Sequence, residues 1–297
     1  MDARTLLLGT LLPGLVCGAL LFGFLALGKS RPRQVWTAAG GFAVALGYAV
    51  GMLQVLPWSG WFPWAMRQIA WLFPLIGLWC ALEASLPLSD RKRWFVRAAL
   101  ALFTGWLCLR PLLRNLDSGF DEGAGWSSEH TWLWIEIALL ALVALVSWRV
   151  WERLGGFLRV RASTASATAV ALAAAVAQLL GSTASNAQLQ GALVAALCAC
   201  FVAALWRPDR DFAPSLAGVL ALLQVALLHD GWRYNALPLA SAILIAAAPA
   251  FLLLALVFVP DSMAAPKRIA ARTAALLVPL GAALLVAWSR MPAPSGY

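Results

Sequence analysis

The sequence carries little charge. Asp, Glu, Lys and Arg make up 12% of its 297 residues, against 62% apolar. Soluble domains are about a quarter charged. So few charges cannot cover that much hydrocarbon in water, which excludes a soluble enzyme and a disordered chain. Histidine is nearly absent, with only His130 and His229, and neither stands in an HxxxH or HExxH spacing. The five cysteines (17, 80, 108, 198 and 200) form no disulfide framework or zinc pattern. Cys198 and Cys200 are two apart, point to different sides of a helix, and read as small hydrophobes. No Walker sequence and no GxSxG is present, and Gly155–Gly156 belongs to no phosphate loop, so ATP-driven chemistry is not expected. Long polar segments are missing too. The longest, residues 114–130, is a loop, leaving no room for a soluble domain.

What is there is a succession of long apolar runs. A spanning helix needs about 20 mostly apolar residues at ~1.5 Å rise each. Ten runs qualify: 5–28, 35–56, 68–86, 94–113, 131–150, 164–181, 188–206, 212–228, 237–259 and 269–288. The eighth is the weakest, being short and carrying Gln224 near its middle. Fusing the sixth and seventh would place polar residues 182–190 at mid-membrane, where they are costly, so two spans are preferred. The first run is too long for a signal h-region and is read as a retained helix. The expected fold is all-α: a polytopic transmembrane bundle, residues 1–297 forming a single integral membrane domain. It divides by composition into a Trp-rich part (about 5–151) and an Ala/Leu-rich part (about 163–289). Small-faced spans six and seven are expected inside the bundle.

Lys and Arg collect in cytoplasmic loops. With ten spans, one side gathers 16 of the 22 basic residues and the other 6, which predicts both termini outside, in the periplasm. Tryptophan favours the membrane–water interface. Thirteen of 16 Trp fall at span ends or in loops, in agreement with that segmentation. The net charge of +9 is thereby explained by topology, and no nucleic-acid partner is expected. Arg outnumbers Lys 19 to 3 and Ala is abundant, a composition that points to a GC-rich bacterium and its cytoplasmic (inner) membrane.

Candidate chemistry lies on the outer side. The loop after span four holds Asp117, Asp121, Glu122, Glu129 and His130; the loop after span eight holds His229, Asp230, Arg233 and Tyr234. Both histidines thus share one face with carboxylates, an arrangement that could ligate a divalent metal, although a solvated loop is the preferred reading and no metal or cofactor is expected. Glu136 lies about 7 Å inside span five, with Arg110 at similar depth on span four. A partly buried Arg110–Glu136 ion pair is the first reading; a protonatable Glu136 in a proton path is the second. Glu83, near Arg91, Lys92 and Arg93, is expected to pair at the interface. Gln178, Gln188, Gln190 and Gln224 read as interhelical hydrogen-bonding groups. Prolines 13, 74, 249 and 279 fall within spans one, three, nine and ten, which do not correspond between halves, so an inverted repeat is not supported. Gly14–Gly18 and Gly47–Gly51 match GxxxG and are read as close packing within the chain.

Three functions fit this architecture. The first is a small-solute carrier. The second is a non-catalytic membrane subunit whose partners are the lipid bilayer and a protein docked on the outer rim of Pro57, Trp58, Trp61 and Trp64. The third is an intramembrane enzyme acting at the outer face through Glu136, His130, His229 or Asp230.

Overall fold

The structure is a computed structural model that describes residues 3–27, 33–55, 64–86, 88–118, 128–181, 184–208, 211–260 and 262–291. Among these residues there are ten helices and no strand. In chain order they are α1 (Ala3–Leu27), α2 (Arg33–Val55), α3 (Trp64–Ser85), α4 (Asp90–Ser118) and α5 (Ser128–Phe157), then α6 (Val160–Leu180), α7 (Ala184–Trp206), α8 (Ala213–Tyr234), α9 (Leu239–Phe258) and α10 (Ala265–Ser289). Among the described residues seven helices, α4 to α10, are long and apolar enough to cross a bilayer, as in an integral membrane protein. Shorter apolar stretches are described at Leu8–Phe24, Ala38–Leu53 and Phe73–Ser85 in α1 to α3. The helices run unbroken through Pro13, Pro74, Pro249 and Pro279. The outer rim Pro57, Trp58 and Trp61 lies outside the described residues, as do Asp121, Glu122 and the side chains of Trp64 and Asp117.

The eighth run, the weakest span signal in the sequence, is the centre of the bundle. Of its apolar 18-residue stretch 94% is buried inside the protein, against 28% for α5 and 22% for α10. α8 packs on α2, α3, α4, α5, α6, α7 and α9. Spans six and seven, expected inside the bundle, are each half buried, second only to α8 among the candidate spans of the described residues. The reason is physical. A helix surrounded by protein has no lipid face to keep apolar, so it tolerates Ser215, Gln224, His229 and Asp230 at the cost of hydropathy. The rim helices show the opposite pattern, turning Leu139, Leu142, Val146, Leu277, Val278 and Leu285 outward.

Small residues let the inner helices approach. Gly47 of α2 meets the carbonyl of Pro13 in α1, and a Cβ at Gly51 would meet the Pro13 ring and Ala192 of α7. Gly14 of α1 lies against the backbone of Ala195 in α7. Both GxxxG pairs are therefore engaged within the chain. Hydroxyls opening α6 are satisfied locally: Thr164, Ser166 and Thr168 donate to the carbonyls of Val160, Ala162 and Thr164. Arg161 closes the far end of α7, donating to the carbonyls of Ala204 (3.2 Å) and Leu205 (3.1 Å), where a helix C-terminus leaves acceptors free.

Candidate functional site

α5 and α8 pack against each other over their length, and each end of their seam holds a charged cluster. Glu136 and Glu152 mark the two levels on α5, 16 residues or about 24 Å apart at helical rise.

At one end, His229 Nε2 and Glu136 Oε1 are 2.9 Å apart. An ionised carboxylate only accepts, so Nε2 carries the hydrogen and donates it. His229 is 4% exposed and its Nδ1 has no partner. Arg233 Nε stands 3.8 Å from the same carboxylate oxygen, with its guanidinium 6.0 Å from the Trp232 ring centroid. Tyr234 donates its hydroxyl to the carbonyl of Cys108, 2.9 Å away, tying the end of α8 to α4. Beside the pair lies a pocket of about 370 Å³ between α5, α8 and α9. Its walls are apolar, Leu139, Val143, Leu228 and Ile243 among them; Leu139, Val143 and Ile243 are exposed, so it opens sideways between α5 and α9, with Glu136, His229 and Trp232 as its polar edge.

The remaining sequence candidates scatter around this pair. Asp230 turns away from His229 to accept from Asn186 Nδ2 (2.6 Å) and Asn235 Nδ2 (3.0 Å). Arg110 places its guanidinium 5.0 Å from the Trp106 ring centroid. His130 is buried at the start of α5 and Glu129 is exposed. Neither lines the pocket. Among the described residues no three His, Cys, Asp or Glu side chains converge as a metal centre requires.

The other end was misread in part from sequence. Glu83 does not pair with Arg91, Lys92 or Arg93; it is buried at 6% exposure and bound by Arg97, itself 5% exposed. Arg97 Nε donates to Glu83 Oε1 at 2.9 Å, and Nη2 contacts the same oxygen. The guanidinium also donates to both oxygens of Glu152 at 3.1 and 3.2 Å, and Arg149 adds a 2.7 Å bond to Glu152. Trp148 lies under Arg97, 4.9 Å from centroid to guanidinium. Two carboxylates and two guanidiniums thus join α3, α4 and α5 in a neutral cluster. Isolated charges here would be prohibitively costly, and pairing is what makes them tolerable. The cluster borders a cavity of about 190 Å³ lined by Cys80, Glu83, Arg93, Arg97, Trp148 and Glu152, with Pro214 and Gly218 of α8. Sequence reasoning had one signal for it: Arg97 lies seven residues inside α4, two turns deeper than a loop cation needs to be.

Between the ends the seam narrows. A cavity of about 10 Å³, the size of one water, lies among Thr104, Cys108, Ala144, Leu222 and Ala226. It shares Leu140 and Val225 with the 370 Å³ pocket. Towards the other end, Ala101, Ala144 and Leu222 are each one helical turn from Arg97, Trp148 and Gly218 of the polar cavity.

No family model matches the chain, and no curated protein matches it.

Proposed function

We propose that this protein is a small-solute carrier whose path is the seam of α4, α5 and α8. One observation carries the reading: a single pair of helices holds an ion-pair cluster and a cavity at each end, with a constriction between them. A carrier needs two closures that open in turn around a common path. Here His229–Glu136 supplies one and Arg97–Glu83–Glu152 the other. Charged side chains inside spans mark such pathways by default. The middle of the seam is closed, which corresponds to an occluded state. In this reading all ten helices cross the bilayer, the Arg97 end faces the cytoplasm by the charge rule, and both termini lie on the far side. The membrane would be a bacterial cytoplasmic membrane.

A second reading draws on the same pair. A carboxylate hydrogen-bonded to an imidazole beside a cavity is the geometry of a general base and its orienting group. An enzyme at that end would use Glu136 and His229 and would not need the Arg97 cluster.

Counterflow in proteoliposomes separates them. Vesicles are preloaded with unlabelled solute, and labelled amino acids, sugars, organic cations and organic anions are offered in turn. The carrier reading expects accelerated exchange for one class, abolished by N-ethylmaleimide once it reaches Cys108. Exchange no faster than in protein-free vesicles for every class would overturn it.

A further inference from the structure

Beside the polar cavity at the Arg97 end stand two atoms, each with almost no accessible surface, that the ion-pair cluster leaves unused. Glu83 Oε2 has no partner, and neither has Arg93 Nε. Both residues line the same 190 Å³ space. Arg93 and Arg97 are four apart on α4 and therefore share a face, so the two guanidiniums reach the cavity together. Arg97 is consumed by two carboxylates, whereas Arg93 makes only a 3.5 Å contact from Nη2 to the carbonyl of Leu86. A carboxylate oxygen and a guanidinium N–H, each buried without a partner, cost free energy that a bound group of opposite sign recovers. The two unused atoms are of opposite sign, so an occupant that satisfies both carries a cationic and an anionic group.

We infer that this cavity binds a small zwitterion, an α-amino acid or a close analogue, with its ammonium on Glu83 Oε2 and its carboxylate on Arg93. The volume limits the ligand to a compact body. The next groups along the seam, Ala101, Ala144 and Leu222, favour an apolar side chain over a charged one. Gly218 forms part of the wall, where a Cβ would meet the Trp148 ring and Cys80 Sγ, so the absence of a side chain there is what lets both pack against α8 beside the cavity. As the identity of a transported solute the inference rests on the carrier reading; as a binding site it stands without transport.

The test is binding by the full-length protein purified in detergent, read as the unfolding midpoint and as equilibrium binding of labelled ligand. The probes are glycine, L-alanine, L-serine and L-valine. Each is compared with its decarboxylated amine, its deaminated acid, and phosphoethanolamine as the soluble form of a lipid headgroup. At least one amino acid should raise the midpoint while its amine and its acid do not. Arg93→Gln should weaken that binding about tenfold or more, the scale of one charge-assisted hydrogen bond, and Arg93→Lys should restore part of it. Arg93 stands outside the Arg97 cluster, so both variants should fold, with ligand-free midpoints near that of the wild type. The inference is overturned if no amino acid binds, if amine or acid alone binds as well, if phosphoethanolamine binds and the amino acids do not, or if Arg93→Gln leaves affinity unchanged. Binding without counterflow would count against the carrier reading alone, and counterflow of another solute class without binding against this inference alone.

Discussion

His229 and Glu136 are 93 residues apart and meet at 2.9 Å, the imidazole almost wholly buried and the carboxylate on the edge of an apolar pocket. The contact joins the central helix to a rim helix, and its two partners are not equivalent. Glu136→Gln keeps an acceptor for Nε2–H and removes only the charge. His229→Ala strips the carboxylate of its closest donor and leaves it Arg233 at 3.8 Å. Glu136→Gln is expected to cost less than about 1 kcal/mol and His229→Ala about 1–3 kcal/mol. Unfolding midpoints checked against the double variant give the coupling, which should exceed ~0.5 kcal/mol for groups in contact.

Arg97 holds two carboxylates at once. Arg97→Met should destabilise the protein by about 3–5 kcal/mol, because Glu83 is left charged and buried without a donor. Arg97→Lys should recover only part, since an ammonium cannot fork between Glu83 and Glu152. Adding Glu83→Gln to Arg97→Met should return stability towards wild type. Denaturation in matched detergent reads all three.

Gly218→Ala places a methyl against Trp148 and Cys80. A loss of about 1–3 kcal/mol is expected, as for overpacking elsewhere in tight interiors. Trp148→Phe in the same chain should relieve part of it, the contact with Cys80 Sγ remaining.

Gln190 is fully buried, and neither its amide nitrogen nor its carbonyl oxygen has a partner. Gln190→Met removes both unsatisfied atoms at similar volume. The expected outcome is a rise in the unfolding midpoint, corresponding to about 1–3 kcal/mol. A fall would mean that water or solute satisfies the amide in the working protein.

The helical elements were legible because the bilayer imposes a length, and ten apolar runs lie where ten helices stand. The arrangement was not. α8 looked weakest for the reason that makes it central: its solvent is other helices, so its hydropathy is low. The singular polar residues Glu136 and His229 were picked out, yet the bond between them spans α5 and α8, which no local spacing encodes. Glu83 went wrong in the same way. Proximity in sequence pointed to Arg91, Lys92 and Arg93, whereas the direction of α4 brings Arg97 back over the end of α3. Arg97 stands only seven residues into α4, and the helix carries it inward onto Glu83.

The central claim is that the seam of α4, α5 and α8 opens alternately to its two ends, and Cys108 reports on it directly. Its thiol lies at the narrow middle of the seam, 5% exposed. The measurement is the rate at which a membrane-impermeant thiol reagent modifies Cys108, as the sole cysteine, from each side of reconstituted vesicles. The account predicts slow modification from both sides, accelerated from the His229 end by Glu136→Gln with His229→Ala and from the Arg97 end by Glu83→Gln. Modification from neither side, in the wild type and in both sets of variants alike, would contradict it.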